Sequence, residues 1–157
     1  MALCQEYDLT CRGRQVSKAL LERVNTVPLS MAIIQAIEES GWGTSRFARQ
    51  GNNLFGLRCF NDGCGLAQAG SGRQYSAFDT VRDAVRTYLH NLNTHSAYGQ
   101  LRKRRAQLVA QGHPVTAEAL IGELEGYATR RDYQDVLLTL LRTNDELIRR
   151  YRSSKAV

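Results

Sequence analysis

The sequence predicts a mainly α domain of α+β type: a helical lobe, with one small loop-rich lobe that contains a little β-structure. Three observations predict it. Apolar residues recur at helical spacing along most of the chain. Only 2 prolines occur in 157 residues, so little interrupts the helices. Six of the 13 glycines, at positions 51, 56, 63, 65, 70 and 72, crowd into one stretch. That stretch, residues 51–78, is expected to be the β-lobe, with room for a small hairpin. The length suits a single domain spanning residues 1–157. Residues 1–15 form an N-terminal extension whose role the pattern leaves unassigned.

The elements follow in order. Residues 16–24 read as an amphipathic helix with Leu20, Leu21 and Val24 inward. Pro28 stands near the start of the next helix, where proline is tolerated. That helix runs from Leu29 to Ser40, and Gly41 supplies a residue that ends helices. A short helical turn is expected at Ser45–Arg49. Thr80 and Asp83 form a capping pair. The helix they open directs Val81, Ala84, Val85, Tyr88, Leu89 and Leu92 inward. Further helices are expected at Tyr98–Gln111, Thr116–Leu124 and Asp132–Arg152.

The net charge is +6, carried by 18 arginines and 3 lysines. Such a protein is drawn to anionic partners, whether nucleic acid, lipid surface or cell-wall polymer. The arginines are scattered, as on a solvated face. The one run, Arg102-Lys103-Arg104-Arg105, lacks the interleaved aromatics that single-strand binding uses; nucleic acid is therefore not the expected partner. No apolar run approaches the roughly 20 residues of a membrane span. No signal peptide is visible at the N-terminus, so the chain is read as a mature or excised domain, or one exported by another route. A monomer is expected.

Four cysteines fall into two close pairs, Cys4 with Cys11 and Cys59 with Cys64. Zinc is one option, but the spacings are wider than usual knuckles and no histidine stands near. Two local disulfides are the better reading, and they imply an oxidising compartment; four free thiols are the alternative. His90 and His95 read as packing or capping groups, and His113 as part of an exposed turn. No metal site and no cofactor motif is expected.

The Leu29–Ser40 helix carries the chemistry. Ile33, Ile34 and Ile37 make it central, and Ala32, Gln35 and Glu39 share one stripe. A glutamate in a last turn faces the negative end of the helix dipole, and Glu38 adds like charge beside it. Both favour the protonated form, which is what proton donation to a glycosidic oxygen requires.

Glu39-Ser40-Gly41-Trp42-Gly43-Thr44-Ser45, followed by Asn52-Asn53-Leu54-Phe55-Gly56, resembles the peptidoglycan-cleaving glucosaminidase family (glycoside hydrolase family 73 type). The segment from Arg73 to Val81 and the Tyr127-Ala128-Thr129 motif with Tyr133 extend the likeness. Arg23 to Ser30, Thr44 to Gly56, the Cys59–Cys64 segment and Tyr88 to His95 are similar to the bacterial Bax-like branch of that family. The resemblance runs from about Leu20 to Asn144. It implies a lysozyme-like fold with a helical lobe and a small β-lobe flanking a cleft. It also implies hydrolysis of the β-1,4 bond after N-acetylglucosamine in peptidoglycan strands, in the periplasm or elsewhere in the cell envelope.

By position in those motifs, Glu39 maps to the catalytic glutamate and Tyr127 to a tyrosine that orients the substrate. Gln35, Asn53, Phe55, Gly56 and Tyr133 are candidate substrate-binding residues. Trp42 is read as core rather than a sugar platform. Two departures stand out. Arg130 occupies a place where the family usually has an acid. The second catalytic carboxylate has only Asp62 and Asp79 as weak candidates, and Asp79 suits a helix start. A lytic transglycosylase or lysozyme-like muramidase on the same fold is the enzyme alternative, and an inert glycan-binding module the non-enzymatic one.

Overall fold

The computed structural model describes residues 2–13 and 15–154. Met1, Arg14 and residues 155–157 of the expected 1–157 domain lie outside the described residues. The elements are α1 (Ala2–Glu6), α2 (Lys18–Arg23), α3 (Leu29–Ser40), α4 (Arg46–Gly51), β1 (Arg58–Cys59), β2 (Leu66–Ala67), β3 (Gln74–Tyr75), α5 (Val81–Thr94), a 3-10 turn (Ser96–Tyr98), α6 (Gly99–Ala110), α7 (Ala117–Ile121) and α8 (Tyr133–Ser153). The expected mainly helical fold with a small β-region is what forms. Two compact units make up the chain: residues 1–32 with 90–157, and residues 33–89.

In the first unit, α6 packs on α2 and α7, and α7 packs on α8. Met31, Leu92, Leu101, Leu120, Ile121, Leu124 and Leu137 are essentially inaccessible and form its core. The run at residues 102–105 is not the solvated patch its charge suggests, because Arg102 and Arg105 are both buried. The Arg105 guanidinium donates to the Thr26 carbonyl at 2.9 Å, the Glu22 carbonyl at 2.8 Å and Asn93 Oδ1 at 2.8 Å. Arg102 donates to the carbonyls of Leu92 and His95. Burial, and then the neighbouring Arg102 charge, pull Arg105 down to about 10, which leaves it charged at neutral pH.

The N-terminal extension is held by chemistry that helical periodicity does not report. Cys4 and Cys11 form a disulfide. Arg23 donates to the Tyr7 and Asp8 carbonyls, and His90 Nε2 donates to the Glu6 carbonyl at 2.8 Å. His95 caps the 3-10 turn, its Nδ1 accepting from Ala97 N. Both histidines thus fill the packing and capping roles expected of them.

The second unit contains the sheet, ordered β1-β3-β2 and antiparallel throughout. Arg58 lies opposite Tyr75 on one side, and Leu66 opposite Tyr75 on the other. Cys59 and Cys64 form the second disulfide, closing the β1–β2 loop. Thr80 caps α5 as expected: its hydroxyl accepts from Asp83 N and donates to Asp83 Oδ2.

Some details differ from expectation. Leu21 and Val81 are exposed rather than inward, because each lies on the solvent side of its helix's apolar stripe. Gly51 closes α4 instead of breaking it. It is buried, and a side chain there would press on Leu66 and Ala77 at 3.1–3.4 Å. Among the described residues no helix is long and apolar enough to cross a membrane.

Candidate active site

Glu39 is half-buried in the last turn of α3. The helix stops there because Gly41, Trp42 and Gly43 all adopt left-handed backbone, with φ of 55°, 58° and 75°. Trp42 N donates to the Ile37 carbonyl at 3.0 Å, and Ser45 N to the Ser40 carbonyl at 3.0 Å. Ser40 is buried; its hydroxyl donates to the Ala36 carbonyl and accepts from Gly43 N at 2.8 Å. The Glu-Ser pair therefore divides its labour. Ser40 fixes the turn, and Glu39 is left with its carboxylate against the 53–57 loop.

That loop is shaped by Asn53. Its amide nitrogen donates to the carbonyls of Leu57 and Ser76 at 2.8 and 2.9 Å, while its oxygen accepts from the backbone of Phe55 and Leu57. Gly56 follows with φ of 64°, and a Cβ built there would lie 2.8 Å from Glu39 Oε2. Only a residue without a side chain lets the carboxylate approach this backbone.

A second set of contacts ties the loop to α3. Phe55 stacks on Tyr88 of α5, with ring centroids 4.0 Å apart and planes 12° apart. The Tyr88 hydroxyl donates to Gln35 Oε1 at 2.6 Å. Gln35 lies one helical turn before Glu39. The path from α3 through Gln35, Tyr88, Phe55 and Gly56 back to Glu39 is closed, and it fixes loop and acid against each other. Helical periodicity marks Tyr88 as an inward residue and says nothing of its hydroxyl. Its signal was the hydroxyl on an apolar face, which when buried needs a polar partner.

Gln35, Asn53, Phe55 and Tyr133 were expected to contact substrate, but they are 0%, 1%, 2% and 3% exposed. Asn53 and Gln35 hydrogen-bond within the fold, and Phe55 and Tyr133 stack on neighbouring rings. Trp42, expected in the core, is 61% exposed, as the left-handed turn leaves its indole in solvent. Tyr127 and Tyr133 belong to the other unit, stacked with centroids 5.9 Å apart and planes 5° apart. Tyr98 packs on Tyr127 at 5.9 Å. Asp62 is exposed in the disulfide loop, and Asp79 is exposed before α5. Arg130 forms a two-pronged ion pair with Asp132 at 2.8 and 2.9 Å, which holds that carboxyl below its usual range. Among the described residues no group of three or more His, Cys, Asp or Glu side chains could hold a metal ion.

The chain is a member of the glucosaminidase family: the family model described as mannosyl-glycoprotein endo-beta-N-acetylglucosaminidase matches residues 15–146. It is 46% identical over 130 residues to the protein bax of Escherichia coli (strain K12), covering 82% of this chain and 47% of that one. It is 29% identical over 138 residues to the exo-glucosaminidase LytG of Bacillus subtilis (strain 168), covering 82% of this chain and 48% of that one. The chain thus spans about half the length of these curated relatives. Its fold matches the crystal structure of the catalytic domain of the autolysin Auto from Listeria monocytogenes. That match has a TM-score of 0.57 and 20% identity, over 92% of this chain and 77% of the other.

Proposed function

We propose that this chain is a peptidoglycan hydrolase, an endo-β-N-acetylglucosaminidase that cleaves the β-1,4 bond between N-acetylglucosamine and N-acetylmuramic acid. The observation that carries the reading is the Glu39 carboxyl, half-buried at the end of α3 against the Gly56 backbone. A carboxyl held in one place beside a loop is suited to protonate a leaving glycosidic oxygen. Family membership and the relatives named exo-glucosaminidase and autolysin support the bond class and the polymer. Tyr127 orients the sugar, a role carried by its place in the family motif. Two disulfides and a wall substrate support action outside the cytoplasm, in the periplasm or cell envelope.

Replacing the acid tests the reading directly. Glu39→Gln keeps the shape and removes the proton donor, so release of glycan fragments from purified sacculi should fall by about 10²–10⁴-fold. Undiminished release would remove Glu39 from the mechanism. Mass spectrometry of the wild-type digest should find reducing N-acetylglucosamine ends; anhydro-muramic ends would instead identify a lytic transglycosylase. The anomeric configuration of the first product separates a base-held water from a nucleophilic second group. Inversion requires a base-held water, whereas retention requires an enzyme nucleophile or the substrate's own N-acetyl oxygen.

A further inference from the structure

Phe60 is 82% exposed, the most exposed large apolar side chain among the described residues. Scattered exposed apolar groups are ordinary, but this one is presented in a particular way. It sits in the loop closed by the Cys59–Cys64 disulfide. The loop springs from β1, which pairs with β3 through Arg58 and Cys59. At its far end Gly65 passes so close to β3 that a Cβ would stand 1.9 Å from the Tyr75 carbonyl oxygen. Both ends of the loop are therefore held. The Arg58 guanidinium lies over the Phe60 ring, 5.1 Å from its centroid, and Arg58 is itself exposed. Phe47 makes a useful contrast, since it has a similar arginine contact but packs on Tyr75 at 4.5 Å.

The position matters as much as the exposure. Gly56 touches Glu39, and Phe60 is four residues further along a segment that is extended where it enters the sheet. Four residues span at most about 14 Å, so the pair lies within a few pyranose rings of the acid. One aromatic face offers a surface to the C–H groups of a sugar ring. The guanidinium beside it offers a fork for a carboxylate. Peptidoglycan carries both along one strand: sugar rings, and carboxylates on the peptide stems attached to muramic acid.

We propose that Arg58 and Phe60 form a subsite for the substrate strand, Phe60 stacking on a sugar ring and Arg58 binding a carboxylate of the stem on that strand. This rests on the peptidoglycan reading above. Arg58→Gln and Phe60→Ala are each made in the Glu39→Gln protein, and binding is measured to purified stem-bearing glycan strands and to chitin oligosaccharide strands, which carry neither stems nor carboxylates. Arg73→Gln, another exposed arginine of the same unit, serves as the charge control. Phe60→Ala should weaken binding to both kinds of strand by about three- to tenfold. Arg58→Gln should weaken binding to stem-bearing strands by a similar factor and have little effect on the carboxylate-free chitin strands, with Arg58→Lys recovering part of the loss.

Equal effects of Arg58→Gln and Arg73→Gln would reduce the subsite to net charge, and unchanged binding in both subsite variants would remove it. The peptidoglycan reading fails separately, by a wild-type digest of sacculi that yields no reducing N-acetylglucosamine ends.

Discussion

Gly56 is where a single residue decides most. Its φ of 64° already disfavours any side chain, and a Cβ would stand 2.8 Å from Glu39 Oε2. Gly56→Ala must strain the backbone, at about 1–2 kcal/mol, or displace the carboxylate. The first effect moves the melting temperature by only about 2–8 °C, whereas the second removes a positioned acid. Fragment release from sacculi should therefore fall at least about tenfold while thermal unfolding stays cooperative. Full activity with a lowered melting temperature would show that Glu39 does not depend on this contact. At this scale the sequence was informative about which residues matter and poor on how. Glu39 stood out from its helix position and flanking motifs. Asn53 and Phe55 lie in the second motif and Gln35 on the helix stripe of Glu39, and all three are buried. A motif names residues without saying which touch substrate and which hold the ones that do. Trp42 and Phe60 were illegible for another reason. Loop residues have no period, so nothing in the sequence tells which side of the chain an aromatic ring will take.

The elements teach a different lesson through α6. A four-residue basic run reads as solvated surface, but Arg102 and Arg105 lie on the same inward side as Leu101 and Leu108. Their spacing was visible; the acceptors that make their burial tolerable come from distant segments and were not. Arg105 gathers the carbonyls of Glu22 in α2 and Thr26 in the connection that leads into α3, together with Asn93 of α5. Arg105→Ala strands all three acceptors. It should destabilise the protein by about 3–5 kcal/mol, read as a large drop in urea midpoint. Arg105→Lys should recover only part of that, since an ammonium cannot span the same fork. If Arg105→Ala unfolded at the wild-type midpoint, the three contacts would be worth nothing net. The same logic applies to the small sheet. Three two-residue strands supply few ladder bonds, and the Cys59–Cys64 bridge supplements them. In a chain-entropy account, a six-residue closed loop contributes about 2 kcal/mol. Cys59→Ser with Cys64→Ser should lower the unfolding free energy by about that amount, and an unchanged value would mean that the strands hold the loop unaided.

For the whole molecule, long amphipathic helices made the fold class readable, since α5 and α8 alone carry 14 and 21 residues of clear periodicity. The N-terminal extension was not, because α1 has 5 residues and relies on a disulfide, Arg23 and His90 rather than on an apolar stripe. Charge was readable only in sum. A net +6 says that the protein is attracted to anionic polymers, and burial of Arg102 and Arg105 shows that not every cation takes part. The remaining arginines are spread along the chain, so attraction to sacculi should act as a diffuse, screened field rather than as one tight contact. Between about 0.01 M and about 1 M salt the Debye length shrinks from roughly 30 Å to roughly 3 Å. Co-sedimentation of the Glu39→Gln protein with sacculi should fall steeply across that range. Binding of a short, uncharged chitooligosaccharide should change little, because it depends on stacking and hydrogen bonds at the site. A salt-insensitive sacculus interaction would mean that local contacts alone hold the wall polymer, and that the excess of arginine serves folding instead.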